Sequence, residues 1–173
     1  MKKPPKKNQI FKLFNKNSLI RKALFASLGG FIAIAIIAFL ANYSNYPLIM
    51  GSLGASCVLI FGYPDSPFSQ PKNVIAGHLF STFIGLAFLH FVGPQWWSMA
   101  LALSVALGVM IATNTVHPPA GSNPIIIFLA NADWSFILLP STFGSITLVI
   151  IAFIFINFSS KKLYPKSWDK FIT

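Results

Sequence analysis

The sequence predicts an all-α polytopic membrane protein: four long transmembrane helices plus two short half-membrane or re-entrant helices, arranged as a two-fold internal repeat. Three observations carry this expectation. Of the 173 residues, 55% are hydrophobic and only 9% charged, with a mean hydropathy of +0.69, against roughly 25% charged in an average soluble domain. The charge is also confined to the ends: Lys2, Lys3, Lys6, Lys7, Lys12, Lys16, Arg21 and Lys22 cluster at the start, Lys161, Lys162, Lys166 and Lys170 at the finish, and Lys72 is the basic residue between them. Long apolar runs alternate with polar, proline-rich breaks, the most marked being residues 114–124, N-T-V-H-P-P-A-G-S-N-P.

The expected organisation is a basic cytoplasmic arm at 1–19, one transmembrane domain at 20–158 and a basic cytoplasmic tail at 159–173. Basic residues at both ends place both termini in the cytoplasm by the positive-inside rule, which requires an even number of crossings. The net charge of +10 invites a nucleic-acid reading, but these basic residues flank hydrocarbon-length segments instead of forming a soluble patch, so no nucleic-acid partner is expected. Cys57 is the one cysteine, which excludes a disulfide framework and a cysteine-rich metal site; it reads as a small buried residue. The N-terminal stretch has neither the Ser/Arg bias of a transit peptide nor a small-residue cleavage site, so the first long apolar segment reads as a retained helix.

In order, Ile10, Phe11, Leu13 and Phe14 among lysines suit an anionic leaflet. The run 20–41 is long enough to cross about 30 Å of hydrocarbon at 1.5 Å per residue, and Tyr43 and Tyr46 follow at interface level. The stretch 48–62 is short for a crossing and reads as a half-membrane helix. Residues 63–70 form a proline-rich loop carrying Asp65, and Pro71 suits the first turn of the next helix, where its missing donor costs nothing. The run 71–91 spans again, with Gly77, His78, Ser81 and Gly85 as a small, polar packing face. Gly93 and Pro94 break it, and Trp96 and Trp97 anchor a third long run to about Thr115. In the break that follows, Pro118, Pro119 and Pro124 remove three backbone donors and disfavour helix before each. Ser122 or Asn123 can cap a short helix with Pro124 at its first position, ending at Ala130. Residues 131–139 suit an interfacial lid, and Pro140 opens the last crossing, ending near Phe158.

A shift of 67 positions brings Gly54 onto Gly121, Gly77 onto Gly144, and Ile60 and Phe61 onto Ile127 and Phe128. The order of elements repeats with it: long helix, break, half-length helix, proline-opened loop, long helix. Transporters often contain such duplications, with half-helices meeting near the midplane. Parallel and inverted repeats both remain open, as do re-entry and crossing by the short helices. A helix N-terminus offers unpaired donors and about half a unit of positive partial charge, which favours anions. Between Ala23 and Ser160 the charged residues are Asp65, Lys72 and Asp133, all in or beside loops, so the intramembrane carboxylate that a cation site or proton relay usually needs is missing.

The motifs T-V-H-P-P-A-G at 115–121, Q-P-x-x-V-I-x-G-H at 70–78 and G-S-L-G-A-S at 51–56 together resemble those of the HPP family of small integral membrane proteins, named for the tripeptide that stands here as His117, Pro118 and Pro119. The resemblance covers about residues 20–158. It implies four transmembrane helices, and cyanobacterial and chloroplast members look like nitrite transporters. Plant members carry a plastid-targeting extension that this sequence lacks, which favours a bacterial plasma membrane.

Asn114, Thr115, His117, Ser122 and Asn123 are the candidate substrate-binding groups at the second break, with Ser52, Ser56 and His78 as partners from the first half. His117 can donate to a nitrite oxygen, and a neighbouring anion would favour its charged form; equally, it can satisfy carbonyls freed by the prolines. For His78 an interhelical hydrogen bond is favoured over substrate contact, and His90 reads as an interface residue without a role. Pro118, Pro119, Pro124, Gly51, Gly54 and Gly121 form the structural breaks, the glycines read as points of close backbone approach. Three histidines without a His-x-x-His or Glu-His pairing argue against zinc, and no nucleophile elbow supports a hydrolase. No catalytic residue, metal or cofactor is therefore expected. The leading expectation is a transporter or channel for a small inorganic anion, nitrite by resemblance, in a lipid bilayer. The alternative is a non-transporting membrane anchor or regulatory subunit packing against partner helices; homo-oligomerisation is compatible with both.

Overall fold

Proline, glycine and asparagine set where the helices of this chain begin and end. The computed structural model describes residues 16–44, 46, 48–160 and 163–166, and every regular element among them is helical. Helix α1 is Lys16–Ser44 and α2 is Gly51–Gly62; α3, Pro71–Ala87, continues through a π-helical turn at Phe88–Val92. Then come α4 (Trp96–Ala112), α5 (Asn123–Ala130) and α6 (Phe143–Ser159), with 3-10 turns at Pro67–Ser69, Pro118–Ser122 and Trp134–Ile137 and a π-helical turn at Leu138–Thr142. The expected leaflet contact of Ile10, Phe11, Leu13 and Phe14 lies outside the described residues, and α1 takes in the last four positions of the expected arm.

Three stretches are long and apolar enough to cross a membrane: Ser18–Ser44, Pro71–Val92 and Trp134–Ser159. The fourth expected span is shorter. α4 has 17 residues, about 26 Å at 1.5 Å per residue. Its end is fixed by backbone chemistry. Asn114 sits at φ 58, in the left-handed region. There its N–H reaches the Ile111 carbonyl, and the Thr115 N–H reaches that of Met110, the paired bonds of a Schellman motif. Asn131, at φ 46, ends α5 in the same way, with its N–H on Phe128 and the Ala132 N–H on Ile127. The short helices are also shifted. α2 begins at Gly51 instead of Leu48, and α5 begins at Asn123, putting Pro124 second and leaving Ser122 at the cap position without a side-chain cap bond.

Side-chain contacts give the directions of the helices. The Phe25 and Phe61 rings both meet Phe155, at 4.8 and 5.7 Å, and Gly144 at the start of α6 faces Leu53 at the start of α2. Hence α2 runs parallel to α6, and α1 runs against both. Thr82 bonds Ser141, whereas Ser69, just ahead of α3, accepts from the Tyr164 hydroxyl beyond α6; α3 is antiparallel to α6. Beside α3 lies α5, parallel to it: Asn123 meets His78, Ile127 faces Gly85, and Ala132 accepts from His90. The triplet α1-α2-α3 thus runs opposite to α4-α5-α6. Both short helices start halfway along a long one and leave toward opposite ends of the bundle.

Apolar packing follows the same division. Ala33, Ile37, Leu53, Ile60, Leu148 and Ile156 form the larger core between α1, α2 and α6, while Leu86, Leu89, Ile127 and Ala132 form a smaller one between α3 and α5. Of the glycines expected to sit at close approaches, those on the small packing face of α3 do so and those at the breaks do not. A methyl built on Gly51, Gly54 or Gly121 would meet no atom within 4 Å. One built on Gly77 would lie 2.8 Å from the His117 Cβ, and one on Gly85 2.9 Å from the Pro124 Cα. α3 therefore presses its small-residue face directly onto the His-Pro-Pro segment.

Candidate functional site

The expected site residues divide into four that meet and others that serve the local backbone. His117 precedes the 3-10 turn made by Pro118 and Pro119, and Ser56 lies in the second turn of α2. His78 is in the middle of α3, and Asn123 opens α5. All four are fully buried. Ser56 Oγ lies 2.7 Å from His117 Nε2 and 3.1 Å from His78 Nε2, and the two imidazoles meet edge to face with centroids 5.1 Å apart. Asn123 Nδ2 approaches His78 Nδ1 at 3.0 Å. The starts of the two short helices therefore converge on the two nitrogens of one imidazole.

Hydrogen positions follow from the partners. His117 Nδ1 is 2.7 Å from the Phe68 carbonyl oxygen. A carbonyl only accepts, so Nδ1 carries hydrogen. Asn123 Nδ2 can only donate, so His78 Nδ1 is bare and His78 Nε2–H donates to Ser56. The second amide hydrogen of Asn123 goes to Thr82 Oγ1 at 2.9 Å; Thr82 and Ser141 bond at 2.7 Å, and Ser141 donates to the His78 carbonyl at 3.3 Å. Thr82 and Ser141 belong to the network although no sequence motif marks them. Thr82 stands one turn after His78 on the same face of α3, a placement that helical spacing alone would have revealed.

Neighbouring bonds hold the segment in place. Asn73 Nδ2 donates to the Val116 carbonyl at 3.0 Å, and Ser81 Oγ to the Ala120 carbonyl at 2.6 Å. These satisfy backbone acceptors that the prolines leave without helical partners, as buried polar groups require. Ser69 Oγ similarly takes up the Leu59 and Tyr63 carbonyls at the end of α2. Two buried polar atoms in the site have no partner among the described residues: Ser52 Oγ, one turn before Ser56, and Asn123 Oδ1.

Other expected ligands lie elsewhere. Asn114 is exposed and terminates α4. Thr115 is buried, with its hydroxyl 2.8 Å from that of Thr113. Ser122 donates to the Pro119 carbonyl at 2.8 Å. His90 is 3.1 Å from the Ala132 carbonyl and stacks on Trp134 at 5.5 Å, securing the far end of α3. No group of three or more metal-ligating side chains occurs among the described residues.

Comparison with known proteins bears on the same segments. The sequence matches the family description "HPP, transmembrane region" over residues 15–165. Two transmembrane proteins of Dictyostelium discoideum are similar: one is 35% identical over 153 residues, covering 82% of this chain and 49% of the relative, and the other is 33% identical over 152 residues, covering 83% and 53%. The chain thus spans about half the length of these curated relatives. No solved structure matches. With the family match extending over nearly the whole helical bundle, this multi-pass membrane protein belongs to the HPP transmembrane family.

Proposed function

We propose that this chain is a transporter or channel for a small inorganic anion, with nitrite the favoured substrate, and that the anion is recognised where α2 and α5 begin. The observation that carries the reading is the meeting of Ser56 and Asn123 on opposite nitrogens of His78. These residues stand 67 positions apart, 56 against 123, in triplets that run in opposite senses. The same spacing relates other contacts. Gly77 faces the Thr115 carbonyl and Ala120, while Gly144 faces the Leu48 carbonyl and Leu53; the Ala120 N–H bonds His117, and the Leu53 N–H bonds Met50. Each half packs its glycine on the other half's break. That reciprocity supports an inverted duplication, the architecture of many secondary transporters, with half-helices meeting at the repeat interface.

The chemistry at the meeting point suits an anion. Imidazole, hydroxyl and amide groups converge there, and among the described residues no Asp, Glu, Lys or Arg is a hydrogen-bond partner of either histidine. Ser52 Oγ is a buried hydroxyl without a partner, a donor available to an oxyanion. Both described ends of the chain lie at one end of the bundle, and the basic clusters there support a cytoplasmic orientation of that end; a bacterial plasma membrane suits the sequence.

The alternative, an anchoring or regulatory subunit, is favoured by a different feature: Gly51, Gly54 and Gly108 are exposed with no atom within 4 Å of an added methyl, a surface on which partner helices pack closely. Reconstitution separates the two. Purified protein in liposomes should carry nitrite, and His117→Leu and Asn123→Leu should abolish the flux while remaining folded in detergent. Folded wild-type protein that carries no nitrite and co-purifies with a stable partner would establish the subunit reading instead.

A further inference from the structure

The contacts of one hydroxyl carry more than binding. Ser56 Oγ has three partners: His117 Nε2 at 2.7 Å, His78 Nε2 at 3.1 Å and the Ser52 carbonyl at 2.9 Å. A serine hydroxyl offers one hydrogen and two lone pairs. Its hydrogen has two acceptors within reach, His117 Nε2 and the Ser52 carbonyl. With neutral His117, the hydrogen points at Nε2 and the Ser52 carbonyl contact goes unused. With His117 doubly protonated, Nδ1–H stays on Phe68, Nε2–H donates to Ser56, His78 Nε2–H donates to the second lone pair, and the hydroxyl turns to Ser52. Only that second arrangement uses all the contacts of Ser56 and His117 at once, and it requires no heavy atom to move.

We propose that His117 is the proton-carrying residue of this site, taking up one proton with each anion, and that Ser56 is the rotor that accommodates both states. The proposal rests on the anion-transport reading above and extends it to proton coupling. On uptake the Nε2 lone pair becomes an N–H bond, and the donor, hydronium or the acid form of the anion, is left as water or the anion itself. The Ser56 hydrogen rotates without breaking its O–H bond. Release reverses both events.

Charge explains why the proton and anion travel together. An isolated cation taken from water into a protein interior costs several kcal/mol. Around His117 the titratable group in ring contact is His78, from α3. On α2, Cys57 packs against Gly30 of α1, and beyond α6 Tyr164 donates to Ser69. Lys72 and Asp65 are exposed, at the first turn of α3 and in the loop before it. The imidazolium therefore has no fixed counter-charge among its hydrogen-bond partners, and an arriving anion supplies one. In turn, the anion finds a cation only when the proton is present. This assigns to histidine and serine the coupling for which a transporter more often uses a carboxylate.

The test is proton uptake on binding. Purified full-length protein in detergent is titrated calorimetrically with sodium nitrite in two buffers of different ionisation heat. The expected result is about one proton taken up per nitrite, with affinity falling about tenfold per pH unit across the range where His117 is neutral in the free protein and charged in the complex, the slope required by one linked proton. Ser56→Ala should lower proton uptake, and Ser56→Thr, which keeps the hydroxyl, should restore it. If either variant fails to fold, the wild-type stoichiometry and pH slope decide alone. Nitrite binding with no proton uptake and a flat pH profile would overturn the inference while leaving anion transport standing. Absence of both nitrite binding and nitrite flux would overturn the two together.

Discussion

Replacing Gly77 by alanine places a methyl 2.8 Å from the His117 Cβ, 3.1 Å from the Thr115 carbonyl oxygen and 3.6 Å from the Ala120 Cβ. Two of these neighbours are near or part of a backbone that prolines and the Schellman turn hold fixed, so the strain cannot be relieved by a rotamer change. Overpacking of this kind costs about 1–3 kcal/mol, and Gly77→Ala belongs in the upper half of that range. Its counterpart Gly144→Ala meets Leu53 Cδ1 at 2.7 Å and otherwise nothing closer than 3.5 Å; that methyl group is the far end of a flexible side chain, and the cost is about 1 kcal/mol. Gly54→Ala meets nothing within 4 Å and should gain about 0.5–1 kcal/mol from better helix propensity. Reversible unfolding in mixed detergent and SDS micelles, followed by tryptophan fluorescence, should rank the proteins Gly54→Ala, wild type, Gly144→Ala, Gly77→Ala from most to least stable. A Gly77→Ala protein as stable as Gly54→Ala would refute the close packing of α3 on the His-Pro-Pro segment.

Three further outcomes follow from the same contacts. Ser81→Ala strips the buried Ala120 carbonyl of its 2.6 Å donor and should cost about 1–3 kcal/mol in that unfolding measurement; a neutral result would mean the carbonyl finds another donor. Asn114→Gly should leave stability and nitrite flux near wild type, because glycine adopts the positive φ at no steric cost, whereas Asn114→Val should destabilise by about 1–3 kcal/mol; loss of flux in a stable Asn114→Gly protein would make the amide a ligand after all. Burial raises the Tyr164 phenol above its ordinary value, so its contribution to stability is complete below an unfolded value of about 10 and is lost as pH rises through the higher folded value. Tyr164→Phe, which removes the 2.8 Å bond to Ser69, should cost about 1 kcal/mol at neutral pH and abolish that alkaline loss.

Helix breaks were legible in the sequence because proline and glycine act locally, on their own φ angle or on a missing donor. Thus the two short helices, the proline start of α3 and the special status of residues 114–124 could all be read from the chain. The relative sense of the two helix triplets could not: letters at a 67-residue spacing are the same for parallel and inverted arrangements, and only the helix directions, read from contacts such as Gly144 on Leu53 and Ile127 on Gly85, distinguish them. His117, Ser56, His78 and Asn123 were all among the candidates read from the motifs, but nothing in the letters separated these four from Asn114, Thr115, Ser122 and Ser52. That Asn114 lies apart from them was not legible, since asparagine serves equally as an amide ligand and as a left-handed helix terminator, and its φ angle of 58 makes it the terminator of α4. Close approach at Gly77 and Gly85 follows their reading as a packing face, whereas its absence at Gly51, Gly54 and Gly121 depends on which face of a helix a neighbour covers.

Histidine resonances report most directly on whether the convergence of α2 and α5 is where the anion binds. The chain has 3 histidines, two at the site and one, His90, at the far end of α3. With histidine labelled by nitrogen-15 and each signal assigned by substitution, nitrite titrated into the full-length protein in lipid should shift His117 and His78 together, saturably, and leave His90 unchanged. Saturable nitrite flux in a protein whose His117 and His78 signals stay still would contradict the account.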